Sequence, residues 1–285
     1  MVCKTRRIKN FDYVHISRNF FYSVALPNIR HLQKGAEMAL HEALKPHQNC
    51  ANCPIHYRAI CAQCEPDELQ LLEQIKYYRS FEAGQPVIWA GDRMDFVASV
   101  VTGVATLTKT MEDGRTQMVG LMLPSDFVGR PGRDTTPYNV TAVTDLLMCC
   151  FRKKQFEAMM MRTPHIAHRL LAMTLDELDA AREWMLLLGR KTAREKIASL
   201  LAIIARRYAD LEAPQQTKQR SFDLPLTRAA MADYLGLTLE TVSRQITALR
   251  QDGVIVLQGL RHVVVPDIDR LHGEAGADEF TGMQI

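Results

Sequence analysis

The chain has 285 residues, of which 47% are hydrophobic and 24% charged, and this ordinary globular composition excludes collagen-like and disordered classes. No apolar run reaches the roughly 18–20 residues that a membrane span needs, and the N-terminus lacks the apolar core of a secretory signal. We therefore expect a cytoplasmic protein with no membrane partner and, from its length, about two domains. The net charge of +3 argues neither for nor against a nucleic acid partner.

The first 46 residues show no clear period. They are predicted to be an extension that either forms a short amphipathic helix over residues 31–44 or is disordered. Further along, Pro66 followed by two acids predicts the start of a short helix, because proline suits the first turn and acids complement the helix dipole.

Six of the seven cysteines fall in two groups, which are Cys50, Cys53, Cys61 and Cys64, and then Cys149 and Cys150. Without an export signal, clustered cysteines indicate metal ligands or redox groups rather than disulfides. The first three supply three thiolates, and a four-coordinate site needs one more. Cys64 would complete a pattern typical of structural zinc, whereas Cys149 would connect this segment to the last predicted strand. Spacing alone leaves both ligands open, and both zinc and an iron–sulfur cluster. Cys150 points to the opposite strand face and is predicted to be a small core residue.

Short β-rich runs separated by Gly and Asp turns extend from about residue 80 to residue 151. Strands at this spacing predict an antiparallel sandwich or barrel of the jelly-roll type. Together with the cysteine-rich loop they define a predicted sensor domain over residues 47–164, so the fold class is α+β.

A long helix is predicted from Pro164 to about Leu188, with the dimerisation helix assigned to residues 165–189. Steps of three and four residues form a heptad seam, whose members are Leu171, Thr174, Leu178, Ala181, Met185 and Leu188. Such a seam favours a two-stranded coil and hence a homodimer. The alternative is that the stripe packs on the chain's own β domain.

A second helix follows Gly189 and opens a predicted DNA-binding domain over residues 190–275. Within it, Ala232, Gly236 and Val242 stand at the fifth, ninth and fifteenth positions of a helix-turn-helix window. These positions require a small residue, a turn glycine and an apolar residue that fills the angle between the helices. Two β runs after Gly253 predict a wing hairpin.

The second helix of this motif carries polar residues that can read DNA bases. Thr238 is its predicted N-cap, and Glu240, Ser243 and Arg244 share one face at i, i+3 and i+4. Arginine can bind guanine O6 and N7, and glutamate can accept from cytosine N4. The alternative is a solvated helix pair with an ordinary surface ion pair.

The order of these parts resembles the Crp/Fnr family of bacterial transcription regulators over about residues 47–270. The stretch LTRAAMADYLGLTLETVSRQITALRQDGVI is close to the Fnr branch, whose E-x-x-S-R motif falls on Glu240, Ser243 and Arg244. The cysteine loop resembles the oxygen-sensing FnrL/FnrN subgroup. GRPGRDTTPYNVTAVTDLLMCCF resembles the segment that supplies that subgroup's distant ligand, which aligns with Cys149.

The resemblance implies an oxygen-responsive, anaerobically active transcription activator. Its [4Fe-4S] cluster would be held by Cys50, Cys53, Cys61 and Cys149 and would favour a homodimer on a palindromic TTGAT-N4-ATCAA-like site in double-stranded DNA, with RNA polymerase as a further partner. Gly129-Arg130-Pro131 and Thr136-Pro137 replace the family's cyclic-nucleotide cassette, so no cyclic nucleotide is expected.

Two further departures concern the switch itself. Seven residues separate Cys53 from Cys61, where better-studied Fnr proteins have five, and Ala181 replaces an acid on the dimer seam. The runner-up is a Crp/FixK-like regulator with a structural zinc site or no cluster. From another class, the cysteines could serve an electron-transfer or redox-enzyme subunit, which no flavin, nicotinamide or second-cluster motif supports. No catalytic arrangement is evident, so the chain is not expected to be an enzyme.

Overall fold

The computed structural model describes residues 49–209 and 217–276. The predicted extension over residues 1–46, with its helix at 31–44, lies outside the described residues. The described part begins with the cysteine segment, which we define as residues 50–64. A short helix, α1 (Pro66–Ile75), follows it as predicted, with Pro66 in its first turn and a capping box between Glu65 and Glu68.

Eight strands then form an antiparallel β-roll. They are β1 (Lys76–Phe81), β2 (Pro86–Ile88), β3 (Phe96–Thr102), β4 (Ala105–Thr110), β5 (Thr116–Met122), β6 (Phe127–Val128), β7 (Asn139–Ala142) and β8 (Leu146–Arg152). One sheet has the order β1-β8-β3-β6 and the other β2-β7-β4-β5. The predicted jelly-roll-like sandwich is thus confirmed, although β1 and β6 were not predicted from the sequence.

Residues on the inner faces of the two sheets share one apolar core. Ala98, Val100, Leu146, Met148 and Cys150 alternate along the paired strands β3 and β8 and are fully buried in it. The opposite face of the same two strands forms a second core with the cysteine segment and the helices that follow. Because side chains alternate along a strand, one face of this sheet packs inside the roll and the other faces the cysteine segment.

The helices after the roll lead into a winged helix-turn-helix. They are α2 (Lys153–Met160), α3 (Pro164–Arg190) and α4 (Ala193–Ala209), and then α5 (Arg228–Leu235), α6 (Leu239–Gln251) and α7 (Ile268–Glu274). The wing is a three-stranded sheet of the order β10 (Val256–Gln258), β11 (His262–Val265) and β9 (Arg220–Asp223). The predicted wing hairpin is confirmed, and β9 adds a strand that was not predicted.

Several contacts join the winged helix-turn-helix to the roll. The Arg207 guanidinium at the end of α4 pairs with Asp126 in the turn between β5 and β6. Gln117 on β5 donates to the carbonyl oxygen of Asp233 at 3.0 Å. Near the end of α3, Trp184 stacks on Tyr234 with 4.2 Å between ring centroids. No helix in the described ranges is long and apolar enough to span a membrane.

Candidate metal centre and nucleic-acid interface

Cys50 is positioned by side chains on both sides of its backbone. It opens a 3-10 turn (Cys50–Asn52), where the Asn49 side chain accepts a backbone N–H at 2.7 Å. Glu73 Oε1 accepts the Cys50 N–H at 2.5 Å, and Lys76 Nζ donates to the Cys50 Sγ at 3.4 Å. Neither Glu73 nor Lys76 was singled out in the sequence, because their distance from Cys50 along the chain gives no signal.

Cys149 meets the cysteine segment in one buried cluster, although it lies far along the chain. Cys53, Cys61 and Cys64 pack against the apolar core that contains Cys149. Burial raises the pKa of the Cys149 thiol well above its usual value, and charge on Cys50, Cys61 and Cys53 raises it further. The folded chain therefore brings Cys149 within electrostatic reach of the three thiols that were predicted to need a fourth partner.

Cys64 lies at the far end of the segment from Cys53. Burial and the nearby Glu68 carboxylate are the main causes that raise the pKa of the Cys64 thiol to about 12, and Cys50 adds to them. Cys150, by contrast, faces the inner core of the roll and is fully buried there. That placement is the one predicted for Cys150 from strand alternation.

The donor set fits a thiolate-bound iron–sulfur group. Cys50 and Cys149 are buried, while Cys53 and Cys61 are half-buried, and all are free thiols. Iron–sulfur clusters are held by cysteine thiolates, and a cationic donor beside one of them offsets negative charge. Within residues 49–209 and 217–276, no group of three or more His, Cys, Asp or Glu side chains is arranged as a metal site. The fit therefore lies in the chemistry of the four donors and not in a ready-made arrangement.

The cysteine segment contacts the first turns of α3. The Arg169 guanidinium donates to the carbonyl oxygens of Arg58 at 2.5 Å and of Ala59 at 3.4 Å. His165 Nδ1 lies 3.0 Å from both carboxylate oxygens of Glu68 at the start of α1. Sequence reasoning missed these contacts, although i, i+4 spacing places His165 and Arg169 on one helix face.

Further along α3 the predicted seam is exposed to solvent. The exposed fractions are 57% for Leu171, 45% for Leu178, 73% for Met185 and 37% for Leu188; Ala181 is exposed as well. Because these side chains do not pack on the β-roll, the alternative in which the stripe covers its own domain is wrong. The chain therefore presents an apolar stripe with the spacing of a helix–helix contact.

The helix-turn-helix positions its polar face as the sequence indicates. Gly236 takes a left-handed conformation (φ 63°) between α5 and α6, which glycine adopts without a steric penalty. The Thr238 side chain caps α6 by accepting the Thr241 N–H at 3.2 Å. Val242 is fully buried between the helices and fills the angle, as predicted.

Glu240, Ser243 and Arg244 are all exposed on the first two turns of α6. Hydrogen bonds from its own backbone N–H and from the Thr238 hydroxyl lower the pKa of the Glu240 carboxyl. A charged acceptor, a hydroxyl and a guanidinium therefore share the face of α6 that was predicted to read bases. Their contact with DNA stays a prediction.

Internal contacts hold the loop over residues 129–137, where the sequence is expected to depart from a cyclic-nucleotide cassette. Lys153 Nζ donates to the Asp134 carboxylate at 2.5 Å and to the carbonyl oxygen of Arg133 at 3.0 Å. The Gly132 N–H donates to Glu157 Oε1 at 2.8 Å. That this segment takes no cyclic nucleotide remains a prediction.

Comparison with known families matches both halves of the chain. A Crp-like helix-turn-helix domain matches residues 195–273, and a cyclic nucleotide-binding domain matches residues 78–163. These matches agree with the winged helix-turn-helix and the β-roll of the structure.

Known relatives cover most of the chain. The transcriptional activator protein FnrL of Cereibacter sphaeroides is 69% identical over 248 residues, which are 87% of this chain and all of that relative. The nitrogen fixation regulation protein FixK of Bradyrhizobium diazoefficiens is 34% identical over 73% of this chain and 86% of its own length. The solved structure of FixK2 from Bradyrhizobium japonicum superposes with a TM-score of 0.64 at 32% identity, covering 71% of this chain and 98% of that one. Since these relatives are transcription regulators, the expectation that the chain is not an enzyme is confirmed.

Proposed function

Because this chain belongs to the Crp/Fnr family of DNA-binding transcription regulators, we propose that it is the family's oxygen-responsive kind, an activator that works under anaerobic conditions. In this proposal a [4Fe-4S] cluster is held by Cys50, Cys53, Cys61 and Cys149. A homodimer binds a palindromic TTGAT-N4-ATCAA-like site and contacts RNA polymerase. Residues 47–164 act as sensor domain, 165–189 as dimerisation helix and 190–275 as DNA-binding domain.

The observation that carries this proposal is the meeting of Cys149 with the cysteine segment. Cys149 shares a buried core with that segment and lies within electrostatic reach of Cys50, Cys53 and Cys61. A bound cluster would supply the oxygen-reactive centre. The chain's part is to supply four sulfur ligands, to exclude water through the apolar core, and to hold Cys50 through its N–H and Sγ contacts.

The contacts from the cysteine segment to α3 support a route from sensor to dimer. α3 begins against the cysteine core, where Ile166 is fully buried and Leu170 and Met173 pack beside it. The exposed seam begins at Leu171, on a different face of the same turns. A large exposed apolar stripe indicates an interaction surface, and the a/d spacing fits a second copy of the same helix. Ordering the cysteine segment would thus set the position in which α3 meets its partner.

The exposed face of α6 supports recognition of specific bases. A recognition helix enters the major groove by its N-terminal end, where Glu240, Ser243 and Arg244 lie. Two such helices in a dimer would be about 34 Å apart, which is one helical turn of DNA, and so require a two-fold symmetric site. A monomer keeps half of the contacts and loses the shared binding event.

The decisive experiment compares three cysteine variants purified without air. Cys149→Ala should lose the absorbance at about 400 nm and about four iron atoms per chain, whereas Cys64→Ala and Cys150→Ala should keep both. In air the native protein should lose this absorbance, and sedimentation should show a smaller fraction of dimer. Colourless native protein that carries zinc would favour the Crp/FixK-like alternative. If Cys64→Ala loses iron while Cys149→Ala keeps it, the ligand assignment is wrong.

A further inference from the structure

Arg169 binds the main chain of the cysteine segment rather than its side chains. Its guanidinium donates to two successive carbonyl oxygens, those of Arg58 and Ala59, at 2.5 Å and 3.4 Å. Both carbonyls lie in the loop between Cys53 and Cys61, two of the proposed ligands. A donor that binds main-chain carbonyls responds to the shape of the loop, whatever side chains the loop carries.

Two flanking contacts place the same face of α3 on the end of the cysteine segment and on α1, which follows it. His165 lies 3.0 Å from Glu68, and His168 Nδ1 lies 3.2 Å from the Gln63 side-chain oxygen. Both histidines are exposed, whereas Arg169 is half-buried. Exposed pairs contribute little to stability, but a partly buried guanidinium needs its acceptors. Arg169 is therefore the member of this face whose geometry depends most on the loop.

The position of Arg169 near the start of α3 lets its contact affect the whole helix. It lies in the second turn of a helix that runs from Pro164 to Arg190, 27 residues or about 40 Å. The seam begins two residues later, at Leu171. A small displacement where Arg169 meets the loop would therefore be carried along the helix to the surface that pairs with the partner copy.

We propose that Arg169 is the positioning residue that couples the shape of the Cys53–Cys61 loop to the dimerisation surface of α3. The inference rests on the proposed function and adds the residue that transmits the signal. When the proposed ligands Cys53 and Cys61 are fixed, the two carbonyls lie where the guanidinium binds them. When the loop rearranges, the guanidinium loses its acceptors and the first turns of α3 must shift to find others.

The test measures coupling rather than activity. The dimer dissociation constant is determined by sedimentation for anaerobically purified protein and again after exposure to air, and the ratio of the two constants is the readout. Allosteric coupling of ordinary strength gives a ratio of about 5 to 150 in the native chain. Arg169→Met should bring this ratio to within about threefold of unity while keeping the iron content and the absorbance of the native protein.

Two further variants separate coupling from a merely structural role. Arg162→Met, an exposed arginine just before α3, should keep the native ratio. Arg169→Lys, which retains a donor cation but not the paired geometry, should give an intermediate ratio. If Arg169→Met does not fold or load iron, Arg169→Lys decides the question by the same measurement.

The outcomes distinguish this inference from the proposed function. A native ratio of unity would overturn the proposed function, and this inference with it. A native ratio well above unity that is unchanged in the loaded Arg169 variants would overturn only the role of Arg169.

Discussion

Arg207 and Asp126 form an ion pair that joins α4 to the β-roll. Replacing Arg207 by Met should show how much this pair contributes to the free energy of unfolding. The Arg207 side chain is only 6% exposed and that of Asp126 22%. Asp126 also accepts the Leu123 N–H at 2.7 Å, which fixes the carboxylate in its turn. Methionine fills much of the space of the arginine stem but leaves the carboxylate without its cation.

The expected cost follows from how much water reaches the carboxylate. Removing one partner of a fully buried pair costs about 3–5 kcal/mol, because the other charge stays buried without compensation. Since Asp126 keeps about a fifth of its exposure, we expect Arg207→Met to lower the free energy of unfolding by about 2–3 kcal/mol. Asp126→Asn combined with Arg207→Met should cost less than the sum of the single changes, with an interaction energy of about 1–3 kcal/mol.

Urea unfolding followed by circular dichroism, under anaerobic conditions, measures all four members of this cycle. Arg206→Met is the matched control, because the neighbouring Arg206 is exposed and its replacement should change stability by less than about 0.5 kcal/mol. An interaction energy below about 0.5 kcal/mol between Arg207 and Asp126 would refute the reasoning, since it would mean that the pair is no better than a surface contact.

Two other predictions concern the seam and the DNA-reading face. Leu178→Glu should yield a protein that keeps its iron but sediments as a monomer and binds the palindrome weakly. The reason is that two facing carboxylates without a compensating cation would be buried in one seam layer, which costs several kcal/mol. An unchanged dimer would show that α3 does not form the interface. Arg244→Ala should cost about 1–3 kcal/mol on the specific site and relax discrimination at one guanine, as measured by titration against single-base variants; an equal loss on random DNA would make Arg244 a phosphate contact.

Features governed by local sequence were predicted well. Gly236 and Thr238 fix the turn and the cap of the helix-turn-helix because a left-handed glycine and a capping hydroxyl act within a few residues. The opposite faces of Cys149 and Cys150 follow from the two-residue period of β8. In both cases the physical cause acts over only a few neighbouring residues.

Features that depend on distant partners were not predicted. β1 has the sequence KYYRSF without clean alternation, and it becomes a strand because it pairs with β8 about 70 residues later. β9 pairs with β11 in the same way. Arg169 and the loop carbonyls are separated by 110 and 111 residues, and a single arginine in an amphipathic helix has no local feature that indicates a bound carbonyl.

The burial of α3 changes along its length, and this explains how one helix can serve two parts of the protein. Its first turns bury Ile166 in the cysteine core, and near its end Leu187 is buried in the core of the winged helix-turn-helix. The exposed seam runs from Leu171 to Leu188, on a different face of the helix from these two buried residues. Because helices resist bending over this length, a shift imposed at the cysteine core is carried both to the seam and to the domain that reads DNA. Sensing, pairing and DNA recognition can therefore be coupled through the position of a single element.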